Sequence, residues 1–127
     1  MQQAIIEQKQ QTKPAVLSKA VLNTAEYLGI PNSRLALILG VSPATISRLG
    51  AGNYLLSADR KEWDFAVLLI RLFRSLDSIV GGSTEAAKTW LNSENKGLSG
   101  QKPVNLIVTT EGLVHVVNYL DAIRGVI

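Results

Sequence analysis

The sequence predicts an all-α fold of two helical lobes, an N-terminal one packed on a C-terminal one. Apolar residues recur at three- and four-residue spacing in every long apolar segment, as they do along one face of a helix. Glycine, proline, serine and threonine separate these segments and supply helix ends. The one β-prone segment, residues 103–109, has no second strand to pair with, so we interpret it as a short helix opened by Pro103.

The net charge of the chain is concentrated in its N-terminal part. Residues 1–53 contain five Lys or Arg and two Glu, a balance of +3, whereas residues 54–127 contain eight of each sign. This asymmetry is expected where one half of a protein faces nucleic acid and the other faces protein. The 127 residues include no cysteine, which excludes disulfide bonds. Because no apolar leader opens the chain and no apolar run could span a bilayer, we expect a cytoplasmic protein with no membrane partner.

The residues that end and begin helices divide the chain into three parts. Residues 1–13 are polar and Gln-rich and are predicted to be a flexible N-terminus. Residues 14–56 are predicted to form the first domain, with a helix over 14–28 and then two short helices. Residues 57–127 are predicted to form the second domain. Its predicted elements are a helix over 58–80 capped by Ser57, a helix capped by Ser83 or Thr84, a loop over 92–102 and a last helix capped by Thr110.

The long predicted helix over 58–80 is apolar on more than one face between Phe65 and Ile70. A helix of this kind must be covered on more than one side. We therefore expect it to be either the central spine of the fold or a self-association surface, and both interpretations stay open at this point.

Residues 32–53 have the pattern of two short helices joined by a tight turn. Gly40 can adopt the positive φ that a sharp turn requires. Ser42 is a suitable N-cap and Pro43 suits the first helical position of a second helix over 43–49. The residues expected to be buried are Leu35, Ala36, Ile38, Leu39, Ile46 and Leu49. This is the layout of a helix-turn-helix, whose second helix can enter the major groove of DNA.

The polar residues of these two helices are the candidate DNA-binding residues. Thr45, Ser47 and Arg48 carry hydroxyls and a guanidinium suited to base edges and phosphates. Ser42 lies at a helix N-terminus, where phosphate is favoured. The full candidate set is Arg34, Ser42, Ala44, Thr45, Ser47 and Arg48. The alternative is a plain pair of core helices without a DNA-binding role.

Two stretches resemble known domains. The segment LALILGVSPATISRLGAG resembles helix-turn-helix domains of the Xre type. The residues that carry this resemblance are Gly40, Val41, Ser42, Thr45, Ile46, Ser47 and Arg48. Residues 57–127 resemble the toxin-binding domain of MbcA/ParS/Xre antitoxins, which follows such a helix-turn-helix in the same order. The residues that carry the second resemblance are Ala87, Trp90, Leu91, Asn95, Leu98, Gly100, Pro103, Leu106, Thr110, Gly112, Val116, Leu120, Ile123 and Gly125.

The resemblance implies an antitoxin that is not itself an enzyme and needs no cofactor. Members of the family neutralise RES-domain toxins, which consume NAD⁺. It implies that the C-terminal helix and tail cover the active-site entrance of the toxin and that the helix-turn-helix represses the protein's own operon on operator DNA, with the protein as a homodimer. The candidate toxin-binding residues are Tyr119, Arg124, Gly125, Val126 and Ile127.

The apolar tail itself has two interpretations. A terminal Val-Ile beside Arg124 could enter a pocket on the toxin, where the free carboxylate meets cations that otherwise hold phosphates, or it could fold back on the protein's own core.

The sequence offers few residues for catalysis. His115 is the only histidine, so neither a metal site nor a nucleophile-base pair can be assembled from His and Cys. Glu62 and Asp64 are two residues apart and do not face each other on a helix, so we interpret them as favourable charges near a helix N-terminus. The remaining alternative is a stand-alone helix-turn-helix regulator whose C-terminal half binds a small ligand or dimerises.

Overall fold

A computed structural model describes residues 12–125, and the expectations placed on residues 1–11, Val126 and Ile127 lie outside them. The described part contains seven α-helices, one short 3₁₀ turn and no strand, which confirms the predicted all-α fold. The helices are α1 (Lys13–Leu28), α2 (Asn32–Leu39), α3 (Pro43–Gly50), α4 (Lys61–Ile79), α5 (Thr84–Leu91), α6 (Pro103–Leu106) and α7 (Thr110–Arg124), and the 3₁₀ turn is Lys96–Leu98. No helix of the described part is long and apolar enough to cross a membrane.

Helix α1 begins with a side-chain cap and ends at a left-handed glycine. The hydroxyl of Thr12 accepts a hydrogen bond from the backbone N–H of Ala15, and Gly29 closes the helix with φ of 68°. Its buried residues are Ser18, Val21, Thr24, Ala25 and Leu28. Val16 is 53% exposed, because the buried face follows residues 18, 21, 25 and 28 and leaves residue 16 on another side of the helix.

The turn between α2 and α3 has the predicted geometry. Gly40 has φ of 72° and follows the last residue of α2. Ser42 caps α3 by accepting a hydrogen bond from the backbone N–H of Thr45, and Pro43 takes the first helical position. All six apolar residues predicted to be buried in this pair of helices are buried. The apolar spacing and the caps therefore specify this part of the fold by themselves.

Helix α4 is the central spine, because α1 packs on it from one side and α7 from another. The prediction that it begins at residue 58 with Ser57 as its cap is wrong, since it begins at Lys61. The hydroxyl of Ser57 instead donates a hydrogen bond to the carboxylate of Asp59, which holds the pKa of Asp59 below its usual value. Residues 57–60 form a backbone turn, in which the N–H of Arg60 donates to the carbonyl of Ser57, and Arg60 is extended with φ of −112°, so the helix begins only after it.

The C-terminal helices complete the same core. Ser83 caps α5 as predicted. Thr109, not the predicted Thr110, caps α7 by accepting a hydrogen bond from the backbone N–H of Gly112. Buried residues from all of the long helices form one contiguous cluster that extends from Val21 to Leu120. The helix-turn-helix and the C-terminal helices therefore pack on a shared interior.

Candidate functional site

The outer surface of α3 holds a chain of three polar side chains. The hydroxyl oxygens of Ser42 and Thr45 lie 2.9 Å apart, and a guanidinium nitrogen of Arg48 donates to the Thr45 hydroxyl at 3.1 Å. The spacing of three residues places these side chains one above the other on one face of the helix. The Arg48 guanidinium is therefore held against the helix with its other donors available to a ligand.

Five of the six candidate DNA-binding residues lie on or beside α3. Ala44, Ser47 and Arg48 are exposed and Thr45 is half-buried, while Ser42 is exposed at the N-terminus of the helix. Exposed small residues beside a guanidinium allow a helix to approach a groove closely. The arrangement can contact DNA through α3.

Arg34, the sixth candidate, is engaged with the C-terminal part of the chain. One of its guanidinium nitrogens donates to the backbone carbonyl of Val104 at 2.8 Å and lies 3.4 Å from the side-chain oxygen of Asn105. Both partners belong to α6, seventy residues further along the chain. The structure therefore does not bring Arg34 together with the α3 residues, and it gives Arg34 a role in joining α2 to α6.

A partly buried hydrogen bond joins Tyr54, in the loop before α4, to Glu62 in α4. The Tyr54 hydroxyl donates to the Glu62 carboxylate at 2.7 Å, and Glu62 is 8% exposed. This hydrogen bond, followed by burial and the charge of Glu62, raises the pKa of Tyr54 above its usual value. Glu62 lies in the first turn of α4, as predicted, and it also accepts the hydrogen bond of Tyr54 from the loop before the helix.

The last turn of α7 is fixed to α4 by a polar network. Asp121 is 5% exposed, and its two carboxylate oxygens accept hydrogen bonds from Ser75 at 2.8 Å and from Arg71 at 2.5 Å. The guanidinium of Arg124 donates to the same Ser75 hydroxyl at 3.1 Å. A buried carboxylate needs such partners to be tolerated in the interior. The network fixes the direction in which the chain leaves α7.

Tyr119 is held in place on the inner side of the C-terminal unit. Its ring stacks on Trp90 with a centroid distance of 6.4 Å, and its hydroxyl donates to the side chain of Asn95 at 3.3 Å. A Cβ atom on Gly97 would collide with the Tyr119 side chain. The half-buried Tyr119 thus supports the loop before α6, while Arg124 and Gly125 are exposed at the helix end.

Two apolar side chains on α7 face solvent. The apolar residues of this helix predict one buried stripe of Leu113, Val114, Val116, Val117, Leu120 and Ile123, but Val114 is 39% exposed and Ile123 is 52% exposed, so the prediction is wrong for these two. Val114 lies one residue off the buried positions Leu113, Val116, Val117 and Leu120, whereas Ile123 keeps their spacing but stands in the last turn of α7, where it is exposed. Helical spacing therefore does not identify Ile123 as a surface residue, because its exposure results from its place at the helix end beside the predicted tail site.

His115 is exposed, as its position on α7 predicts. Within residues 12–125 no group of three or more His, Asp or Glu side chains is placed to hold a metal ion.

The fold and these surfaces define a class of protein, an all-helical one with a helix-turn-helix and a second helical unit on one core. A sequence model of the antitoxin Xre-like helix-turn-helix domain matches residues 7–71. A model of the antitoxin Xre/MbcA/ParS C-terminal toxin-binding domain matches residues 75–125. The chain therefore belongs to the Xre/MbcA/ParS antitoxin family, and both resemblances drawn from the sequence are confirmed.

The structure is also similar to a solved one. It matches a chain in the crystal structure of the M. tuberculosis MbcT-MbcA toxin-antitoxin complex, with 26% sequence identity and a TM-score of 0.64. The match covers 88% of this chain and 97% of that chain. A comparison with curated proteins gave no match. The protein is thus an Xre-type antitoxin with a C-terminal toxin-binding domain.

Proposed function

We propose that this antitoxin neutralises a RES-domain toxin that consumes NAD⁺, and that it does so by binding rather than by catalysis. The observation that carries the proposal is the match of residues 75–125 to a toxin-binding domain. The solved relative is part of a toxin-antitoxin complex, which supports a protein toxin as the partner. The partner's RES identity is inferred from the family resemblance of the C-terminal half.

The end of α7 is the proposed contact with the toxin. Arg124 and Gly125 are exposed there, Ile123 adds an exposed apolar side chain, and the Asp121 network holds this turn against α4. A fixed and partly apolar helix end can fill a pocket at little entropic cost, because its backbone is already ordered. In this proposal residues 124–127 cover the active-site entrance of the toxin.

The helix-turn-helix gives the same protein a second activity, repression of its own operon. The exposed residues of α3 supply the proposed contacts, with Arg48 on bases or phosphates and Ser42 near the DNA backbone. The proposed state is a homodimer, because two helices related by a two-fold axis read two operator half-sites.

Deletion of residues 124–127 tests the toxin contact. The truncated protein should remain folded and bind operator DNA as the full chain does, but it should fail to protect cells that express the cognate toxin. Fold is measured by circular dichroism, DNA binding by gel shift, and protection by growth during co-expression. The matched control is Arg60→Ala, which removes an exposed arginine outside α7 and should protect fully.

Each other outcome of this experiment decides against the proposal. Full protection by the truncated protein would show that the tail is not the inhibitor. Loss of folding would favour the interpretation in which the tail belongs to the protein's own core.

A further inference from the structure

An apolar groove runs between α1 and α4 on the surface of the protein. It has a volume of about 540 Å³, and its lining includes three residues of α1 and three of α4 that are apolar: Val16, Leu17, Ala20, Trp63, Val67 and Ile70. Val16 is 53% exposed and Val67 is 44% exposed. Two exposed valines beside partly exposed larger side chains form a continuous apolar patch, and such patches commonly mark interaction sites.

The other residues that line the groove are all cationic. They are Lys13, Arg71 and Arg74, and no Asp or Glu is among the lining residues. Arg71 pairs with Asp121, yet its own side chain remains 55% exposed and has further donors to offer. An occupant that matches this groove therefore has an apolar row bordered by carboxylates.

A second copy of the chain fits this surface poorly. If two copies met groove to groove about a two-fold axis, each would present the same three cations to the other. Like charges brought together in this way oppose association. The charge of the groove thus favours a different, acidic partner.

The groove is continuous with the proposed toxin contact. Arg71 lines the groove and also bonds to Asp121 in the last turn of α7. Ser75 bonds to Asp121 as well and accepts a hydrogen bond from Arg124, the residue at the start of the tail. A protein that covers the tail is therefore in a position to reach the groove on the same side of α4.

We propose that the α1–α4 groove is a second docking surface for the toxin, and that it takes an acidic amphipathic segment of the toxin. This inference rests on the proposed function, because it requires a protein toxin as the partner. The tail would cover the active site, while the groove would hold the toxin by apolar contact and by carboxylates on its three cations.

Val67→Glu tests the groove directly. The new carboxylate stands among the groove cations, so it repels an acidic segment while leaving an already exposed position exposed. The dissociation constant for a catalytically inactivated cognate toxin should rise by about tenfold or more, as expected for a central interface residue. The matched control is Ile79→Glu on the same helix, an exposed aliphatic residue that does not line the groove and should leave the constant unchanged.

Arg74→Glu is the second variant and keeps the test valid if Val67→Glu folds poorly. Arg74 is exposed, so its replacement leaves the core intact. It should slow association with the toxin most strongly at low salt, because exposed charges steer encounter and are screened by ions. Unchanged toxin binding in both folded variants overturns the groove proposal alone, whereas failure of the unaltered protein to bind toxin overturns the proposed function.

Other occupants of the groove give different results. If Val67→Glu converts a dimer into a monomer in light scattering, the groove belongs to a second copy and the proposal is wrong. A third outcome concerns residues 1–11. If the dissociation constants for the toxin become equal for the unaltered sequence and Val67→Glu once these residues are deleted, the groove belongs to the chain's own N-terminal segment and the proposal is again wrong.

Discussion

Single side chains on α3 determine how the candidate DNA surface is presented. Ser42 does two tasks, since its hydroxyl caps the helix and also contacts the hydroxyl of Thr45. Thr45 in turn accepts a hydrogen bond from Arg48. A guanidinium that is already held in one position loses less side-chain freedom when it meets its ligand.

Arg48→Ala should weaken operator binding by about 1–3 kcal/mol, or roughly 5- to 150-fold, if Arg48 makes a bidentate contact with a base. A gel-shift titration at fixed salt measures the change. The matched control is Arg34→Ala, which removes the same charge. Because Arg34 is bonded to Val104 and Asn105, its loss should lower the unfolding temperature and affect DNA binding less. Equal losses in the two variants would show that Arg34 leaves α6 to contact phosphate.

Because of the Tyr54 hydroxyl, the free energy of unfolding should fall as pH rises in the alkaline range. Its pKa is raised in the folded protein, so its contribution is complete below the unfolded pKa of about 10 and is lost as pH rises through the folded value. At neutral pH Tyr54→Phe should lower the free energy of unfolding by about 1–3 kcal/mol, because the buried Glu62 loses its donor.

Urea unfolding at a series of pH values tests this prediction. The difference between the unaltered protein and Tyr54→Phe should shrink as pH rises above about 10. Tyr27→Phe is the control, because it removes the same hydroxyl from a side chain that is 55% exposed. A difference that stays constant across the alkaline range would contradict the assignment.

At the scale of elements, one glycine fixes how α6 meets α7. A Cβ atom at Gly112 would overlap the backbone carbonyl of Leu106 and lie 3.0 Å from the Thr109 hydroxyl oxygen. Backbone atoms cannot move aside as a flexible side chain can. Gly112, one of the residues that carry the resemblance of the C-terminal half, therefore has a packing cause, the close approach of the first turn of α7 to α6.

Gly112→Ala should destabilise the protein by about 1–3 kcal/mol through overpacking, although alanine is the better helix former by about 1 kcal/mol. The matched control is Gly50→Ala, at the end of α3, where nothing lies within 4 Å of the added atom. This variant should be neutral or slightly stabilising. Urea unfolding measures both, and equal effects of the two substitutions would refute the packing argument.

The sequence predicts the elements more completely than it predicts their contacts. The caps Ser42 and Ser83 could be predicted because each hydroxyl lies three residues before the backbone N–H that it accepts from, which is a local pattern. Ser57 is not the cap because a turn over residues 57–60 precedes the helix, and Thr110 is not the cap because its neighbour Thr109 is equally able to cap. Helix ends chosen between competing neighbours depend on tertiary packing, so their positions were wrong by one to three residues.

The candidate sites divide in the same way. The exposure of Ser47 and Arg48 follows from helical spacing, so the α3 surface was predictable. The partner of Arg34 is seventy residues away and that of Arg71 is fifty residues away. Local spacing holds no information about such pairs. The contact of Arg34 with α6, the Asp121 network and the α1–α4 groove could therefore be identified only from the structure.

At the scale of the whole molecule, the predicted division at residue 56 separates two regions that share one interior. The buried cluster contains residues of α1 to α3 and of α5 and α7, and α4 contributes to it between them. The Arg34 contact with Val104 adds a polar link between the two regions. A shared core favours one cooperative unfolding transition, because neither region can lose its packing without exposing apolar surface of the other.

The two tryptophans allow this cooperativity to be measured. Trp63 lies in the α1–α4 groove, and Trp90 stacks on Tyr119 in the C-terminal unit. In the single-tryptophan variants Trp63→Phe and Trp90→Phe, fluorescence and far-UV circular dichroism should give the same urea midpoint within each variant. Adding Gly112→Ala to each variant should lower the urea midpoints of both fluorescence signals together, because overpacking in α7 destabilises the core that both tryptophans report on. A shift confined to the Trp90 signal would show two regions that unfold independently, and in that case toxin binding at α7 could not stabilise the DNA-binding helices by mass action.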